Sequence, residues 1–98
     1  MDDFYVLVAL YAKEGREAEL GTALAAVVEP SRSDEGNLRY EMFEDQADPR
    51  RFVFLEHWAS PETQHKHHTG SKHILDFNAK SSDAVEKVEI FYRLTQVI

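Results

Sequence analysis

Five histidines fall in the second half of the chain, and four of them, His65, His67, His68 and His73, crowd around one predicted helix. Near neutral pH an imidazole serves two chemistries, proton transfer and metal ligation. Ligation fits this run poorly, because Lys66 lies among the histidines and no acid completes a triad at a familiar spacing. No metal is therefore expected, and His65 and His68 read as a solvated helix surface. His67 differs. After its first proline, the segment 61–69 holds no aliphatic side chain and no Phe, Tyr or Trp, so a helix there must turn a polar side inward. Thr63, His67 and Gly70 stand at i, i+4 and i+7 on one side, leading towards Ile74, which places an imidazole over whatever that helix covers. The bland alternative is a histidine that caps a helix end or bonds a carbonyl.

A second group lies just upstream. Glu56 shares one strand face with Phe52, Phe54 and Trp58. A carboxylate in a row of aromatics is costly, so it must meet a base such as Arg93 or His67, or carry a raised pKa. A buried Trp58 needs a partner for its N–H. Tyr40, on the preceding strand, reads as packing with a satisfied hydroxyl.

The composition narrows the classes of function. The 98 residues fit one domain, 1–98, and the 43% hydrophobic and 30% charged content is that of an ordinary globular protein. A net charge of −7, with Arg50-Arg51 as the only basic pair, argues against nucleic acid. The longest apolar run, residues 4–12, is too short to span a bilayer, so no membrane partner is expected. There is no cysteine, which excludes disulfides, thiol nucleophiles, Cys-ligated zinc and iron–sulfur clusters. Together with Asp2 and Asp3, where a secretory signal would carry basic residues, this makes the cytoplasm the expected location.

The elements that must position these residues follow from periodicity. Residues 4–12 are apolar on both alternating sets, the mark of a strand covered on both faces. From 16 to 33 a helical stripe runs through Leu20, Leu24, Val27 and Ser31, and Gly36 can take the left-handed conformation beyond its end. Strands are expected over 38–44 and 51–58, joined by a turn at 45–49. Ser60-Pro61-Glu62 opens a helix, Gly70 stops it, Ser71 could cap a second one through Lys80, and a strand over 88–98 closes the chain. The order β-α-β-β-α-β is the ferredoxin-like α+β arrangement, one antiparallel sheet with helices on one face. Since the first and third strands are apolar on both faces, the bare face is expected to meet a second copy, giving a homodimer.

Taken together, Val8 through Gly15, Ser31-Arg32 with Glu35-Gly36-Asn37-Leu38 and Tyr40, then Asp48-Pro49, Phe52, Glu56 and Trp58, and finally His67, His73 and Phe77 resemble the antibiotic biosynthesis monooxygenase family across nearly the whole chain. The most specific piece is Glu56-His57-Trp58 with a histidine nine residues after the tryptophan. The resemblance implies a dimeric α+β barrel with a cavity between sheet and helices. It also implies oxygenation of quinols or anthrones with no metal, flavin or other cofactor, the partners being a small aromatic substrate and molecular oxygen. In that reading His67 is the base, Trp58 and Tyr40 are donors or stacking walls, and Glu56 orients or tunes them. Haem-degrading relatives use an Asn on the first strand, a Trp on the helix and a His beyond it. Here the first strand has no Asn, His67 takes the helix position and Phe77 stands ten residues on, against that activity. The family's other members suggest a non-catalytic small-molecule-binding or stress-response dimer, or an isomerase, as alternatives.

Overall fold

The computed structural model describes residues 3–98. Its elements are β1 (Phe4–Ala12), α1 (Glu17–Ala25), α2 (Val28–Arg32), β2 (Asn37–Asp45), β3 (Asp48–Trp58), α3 (Pro61–Gly70), α4 (Lys72–Lys80), a 3-10 turn (Ser82–Ala84) and β4 (Val85–Leu94). The strands form one antiparallel sheet in the order β2-β3-β1-β4, and the expected ferredoxin-like α+β arrangement is the one observed. The two strands that are apolar on both faces, β1 and β3, are the inner pair.

The single helix expected over 16–33 is two. Pro30 lacks the N–H that would bond the carbonyl four residues back, and its ring crowds that carbonyl at Ala26, where the chain leaves the helix before α2 begins. The stripe survives the break: Leu20, Leu24, Val27 and Ser31 are all buried. Leu20, Leu24 and Val27 meet Val6, Val8, Phe52, Phe54 and Trp58 from the sheet in one core cluster.

The hairpin is tighter than the 45–49 turn suggests. Asp45 pairs with Asp48, so Gln46-Ala47 is a two-residue loop, pinned by the Ala47 N–H donating to Asp45 Oδ1 at 2.8 Å. Pro49 then falls in a register shift between the Glu44–Phe52 and Asp45–Asp48 pairs. A bulge is where a missing N–H disturbs no regular ladder.

The last strand also departs from expectation, starting at Val85 and ending at Leu94 instead of spanning 88–98. Two register shifts, opposite Ala9/Leu10 and Tyr11/Ala12, break its alternation. Ile90, Tyr92 and Leu94 pair with the outward residues Ala9, Leu7 and Tyr5, whereas Val88 pairs with Leu10 and joins Phe91 on the helix side. The bulge thus turns Val88 towards the helices, away from the face it shares by simple alternation.

Helices cover one sheet face only. The other carries Leu7, Val53, Leu55 and Ile90 half-buried and Phe43, Tyr92 and Leu94 exposed, with the Tyr5 and His57 rings stacked at 4.1 Å.

Gly36 fixes the approach to α3. Its φ is +81°, and a Cβ there would lie 2.4 Å from Thr63 Oγ1 in the first turn of α3. Its carbonyl accepts the Ala59 N–H at 2.7 Å. Gly36→Ala would add left-handed strain to a steric clash, and is expected to destabilise the fold by at least about 2 kcal/mol. A urea melt within half that of wild type would refute the close approach.

Candidate functional site

Helix α3 begins as its sequence dictates. Ser60 Oγ accepts the Thr63 N–H at 3.2 Å, and Pro61 occupies the first helical position, where no N–H is needed. With no hydrocarbon stripe, the buried residues of this helix are Gln64 and His67. The inward side is therefore polar, as expected, although Gln64 was not foreseen as part of it.

His67 lies at the centre of the site. Its Nδ1 is 2.7 Å from Asp34 Oδ2, its ring is 4.7 Å from that of Trp58 and 5.4 Å from that of Tyr40, and its side chain is 3% exposed. Burial lowers the His67 pKa, and the Asp34 carboxylate opposes that shift without reversing it. The imidazole is thus neutral at pH 7. With an ionised Asp34 accepting at Nδ1, the hydrogen belongs on Nδ1 and the lone pair on Nε2.

Asp34, between α2 and β2, was not singled out from the sequence. Its Oδ2 also takes the Ser71 hydroxyl at 2.8 Å and faces His73 Nε2 at 3.0 Å. Burial pushes its pKa up, but the hydrogen bonds from His67 and Ser71 and the nearby His73 outweigh that, and the carboxyl stays below its ordinary range. Two expectations are corrected here. An acid does complete a triad with two of the histidines, brought in by the fold and not by local spacing. Ser71 stands at the start of α4 but makes no side-chain cap there, because its hydroxyl is turned to Asp34.

Glu56 is 5% exposed, and its hydrogen bond among the described residues comes from Trp58 Nε1 at 2.9 Å. Neither Arg93 nor His67 pairs with it, so the second expected outcome holds. Burial raises its pKa from 4.5 to about 7, with the Trp58 bond pulling the other way. The consequence for stability has a definite sign. Below pH 4 both folded and unfolded chains are protonated at this position. As pH climbs from about 4.5 to 7 the unfolded chain releases the proton while the folded chain keeps it, so stability falls by about 3 kcal/mol and then levels off. Glu56→Gln keeps an acceptor for Trp58 and removes the titration. Its advantage over wild type is expected to grow between pH 5 and 8, measured by urea melts at one protein concentration. An advantage independent of pH would sink the assignment.

Tyr40 is buried beside Phe54, Trp58 and His67. Burial, then the Glu56 carboxylate, push its phenol well above the ordinary value, so it is a hydroxyl donor throughout the physiological range. Trp58 is fully buried, and its N–H is committed to Glu56.

His67, Glu56 and Tyr40 border a cavity of about 200 Å³ between the sheet and the helices. Val8, Phe54 and Glu56 form the floor, with Tyr40 from β2, Val88 and Phe91 from β4, His67 from α3, and Ile74 and Phe77 from α4 closing the sides. Of the four sequence candidates, His67, Glu56 and Tyr40 reach the cavity, while Trp58 backs His67 from one layer behind. His68 also borders it, its ring 5.7 Å from Phe91, so it is not only the surface residue expected. His65 is exposed.

The chain thus carries a buried imidazole over a four-stranded ferredoxin-like sheet, and comparison with known proteins gives the family to which such a chain belongs. Residues 3–80 match the model of the antibiotic biosynthesis monooxygenase family. The chain belongs to that family. It is 37% identical over 70 residues to "Putative monooxygenase YcnE" of Bacillus subtilis, covering 71% of this chain and 72% of the relative. Among solved structures, PA3566 of Pseudomonas aeruginosa superposes with a TM-score of 0.92 at 23% identity, covering 100% of this chain and 97% of that one. "Putative antibiotic biosynthesis monooxygenase" of Nitrosomonas europaea gives 0.88 at 19% identity, covering 97% and 90%. At those identities the structures establish the shared fold.

Proposed function

We propose that the chain is a cytoplasmic, homodimeric, cofactor-independent monooxygenase that oxidises a single-ring quinol. The observation that carries the reading is the His67–Asp34 pair at the wall of an aromatic cavity, a neutral imidazole whose far nitrogen is available as a base. Family membership and the name of the Bacillus subtilis relative support the reaction class. A phenolic hydroxyl with pKa near 10 is ionised in only about one molecule per thousand at pH 7, a deficit of about 4 kcal/mol. His67 takes the proton, the Tyr40 hydroxyl donates to the new anion, and Glu56 sets the polarity of the floor. The anion then yields electrons to oxygen directly. One oxygen atom enters the ring and the other leaves as water, so quinol plus O₂ gives hydroxyquinone plus water.

Size argues for one ring. An apolar cavity near 150 Å³ holds benzene, so about 200 Å³ accommodates a substituted monocycle more readily than a three-ring anthrone. Among the alternatives, an isomerase acting on a phosphosugar is disfavoured because, among the described residues, no Lys or Arg borders this cavity to receive a phosphate. Oxygen uptake with a panel of hydroquinones tests the reading, and absence of uptake with every member would favour a binding module.

The second copy is proposed to cover the apolar sheet face of Leu7, Leu55, Ile90 and Tyr92. Light scattering at micromolar concentration is expected to report twice the 11.3 kDa chain mass. A species of 11.3 kDa alone would refute the dimer.

A further inference from the structure

We propose that Asp34, His67 and His73 form a binding site for a divalent transition-metal ion of the zinc or cobalt type, whose occupation switches off the base invoked above. The binding half stands alone; the switching half rests on the proposed oxygenase reading.

The three donors come from three separate elements, the loop after α2, the inner side of α3 and the first turn of α4. Their ligand atoms all lie within 4.8 Å of one another, and among the described residues this is the one place where three such donors gather. A tetrahedral metal with bonds of about 2.0–2.1 Å holds neighbouring ligand atoms about 3.3–3.4 Å apart. Asp34 Oδ2 already stands 2.7 Å from His67 Nδ1 and 3.0 Å from His73 Nε2, so these two pairs have only to spread by well under an ångström, while the two imidazole nitrogens, within 4.8 Å of each other, settle around the ion. Two imidazoles and a carboxylate suit borderline cations and leave a fourth position for water. The Ser71 hydroxyl on the same oxygen is the kind of outer partner that steadies a ligating carboxylate. The site is shielded yet reachable, with side-chain exposures of 3% for His67, 17% for His73 and 21% for Asp34. At present one oxygen takes the hydroxyl and faces both rings, a crowding that a single cation would resolve.

The effect on the base follows from the imidazole itself, since a neutral ring carries one hydrogen. While Nδ1–H faces Asp34, the lone pair on Nε2 can accept a proton. When a metal holds Nδ1, the hydrogen must sit on Nε2, and the ring offers a donor where the base was. Zinc would therefore inhibit quinol oxidation without entering the cavity.

The test uses untagged, chelator-treated protein titrated with zinc chloride by calorimetry and with cobalt(II) by visible absorption. One ion per chain is expected. Asp34→Asn and His73→Gln are each expected to weaken zinc at least tenfold, with near-ultraviolet circular dichroism confirming folding, while His65→Gln leaves it unchanged. The zinc concentration that halves oxygen uptake should match the calorimetric constant in wild type and rise in His73→Gln. Affinity unaltered in both Asp34→Asn and His73→Gln, or lost in His65→Gln, overturns the site. Zinc bound at the site with quinol oxidation undiminished overturns the switch. If no quinol is turned over while zinc affinity still depends on Asp34 and His73, the site stands and the oxygenase reading fails.

Discussion

His67→Ala is expected to slow oxidation of a hydroquinone at pH 7 by roughly 10²- to 10⁴-fold, the usual worth of a positioned general base. Without the imidazole, the variant depends on the small fraction of substrate already ionised in solution. The deficit should therefore narrow as pH rises towards the pKa of the substrate. Oxygen uptake measured against pH for both proteins checks this. With no apolar stripe on α3, sequence alone predicts that the replacement costs little stability. The structure corrects that. His67 is buried between Trp58 and Tyr40 and bonded to Asp34, so its loss opens a void and strips the carboxylate of a partner. A stability cost of about 2–3 kcal/mol is now expected, and activity has to be compared at a temperature where both proteins are folded. Full activity in His67→Ala at pH 7 would move the role of base to Glu56.

Trp58→Ala is expected to lower stability by about 3–5 kcal/mol, the range for truncating a large core aromatic. The residue is fully buried, with its ring against His67 and near Tyr40 and its N–H on Glu56. Truncation thus leaves both a void and a buried carboxyl with no donor. Trp58→Phe separates the two effects. It keeps most of the volume and gives up the N–H, so it should cost less, about 1–3 kcal/mol, and move the Glu56 titration further up from about 7. Urea melts across pH report both quantities. A loss below about 1 kcal/mol in Trp58→Ala would show that the wall behind His67 is not packed as described.

What the sequence disclosed depended on how local each determinant was. The alternation of β1 and β3, the Ser60-Pro61 start of α3 and the Leu20-Leu24-Val27-Ser31 stripe are short-range patterns, and all are realised. The last strand was displaced because two bulges interrupt its alternation, and a bulge is set by the neighbouring strand as much as by its own residues. The break before α2 was missed, although Pro30, whose cost falls on Ala26, is the residue that signals it. For the site, His67 was found from what its helix lacks, and Glu56 from the expense of a carboxylate among Phe52, Phe54 and Trp58. Asp34 escaped because it is 33 residues from His67 and lies in a loop with no periodicity. One signal could have pointed to it. A polar inner helix side needs a partner of opposite character, and Asp34 immediately precedes the Glu35-Gly36 pair that brings the chain to α3.

The polar underside of α3 also bears on how a ligand enters. Burial of hydrocarbon anchors β1 and β3, whereas α3 is held by Gln64, His67 and the bonds gathered on Asp34, and α4 has no fully buried residue. Regions with little buried apolar area open at a fraction of the global unfolding free energy. The α3–α4 segment is thus expected to exchange its amide hydrogens ahead of β1 and β3, at a rate that rises when the ties to Asp34 are broken. In the proposed reading, the same carboxylate that aligns the imidazole would govern how often the roof of the cavity lifts, coupling entry of a ligand to readiness of the base through one side chain.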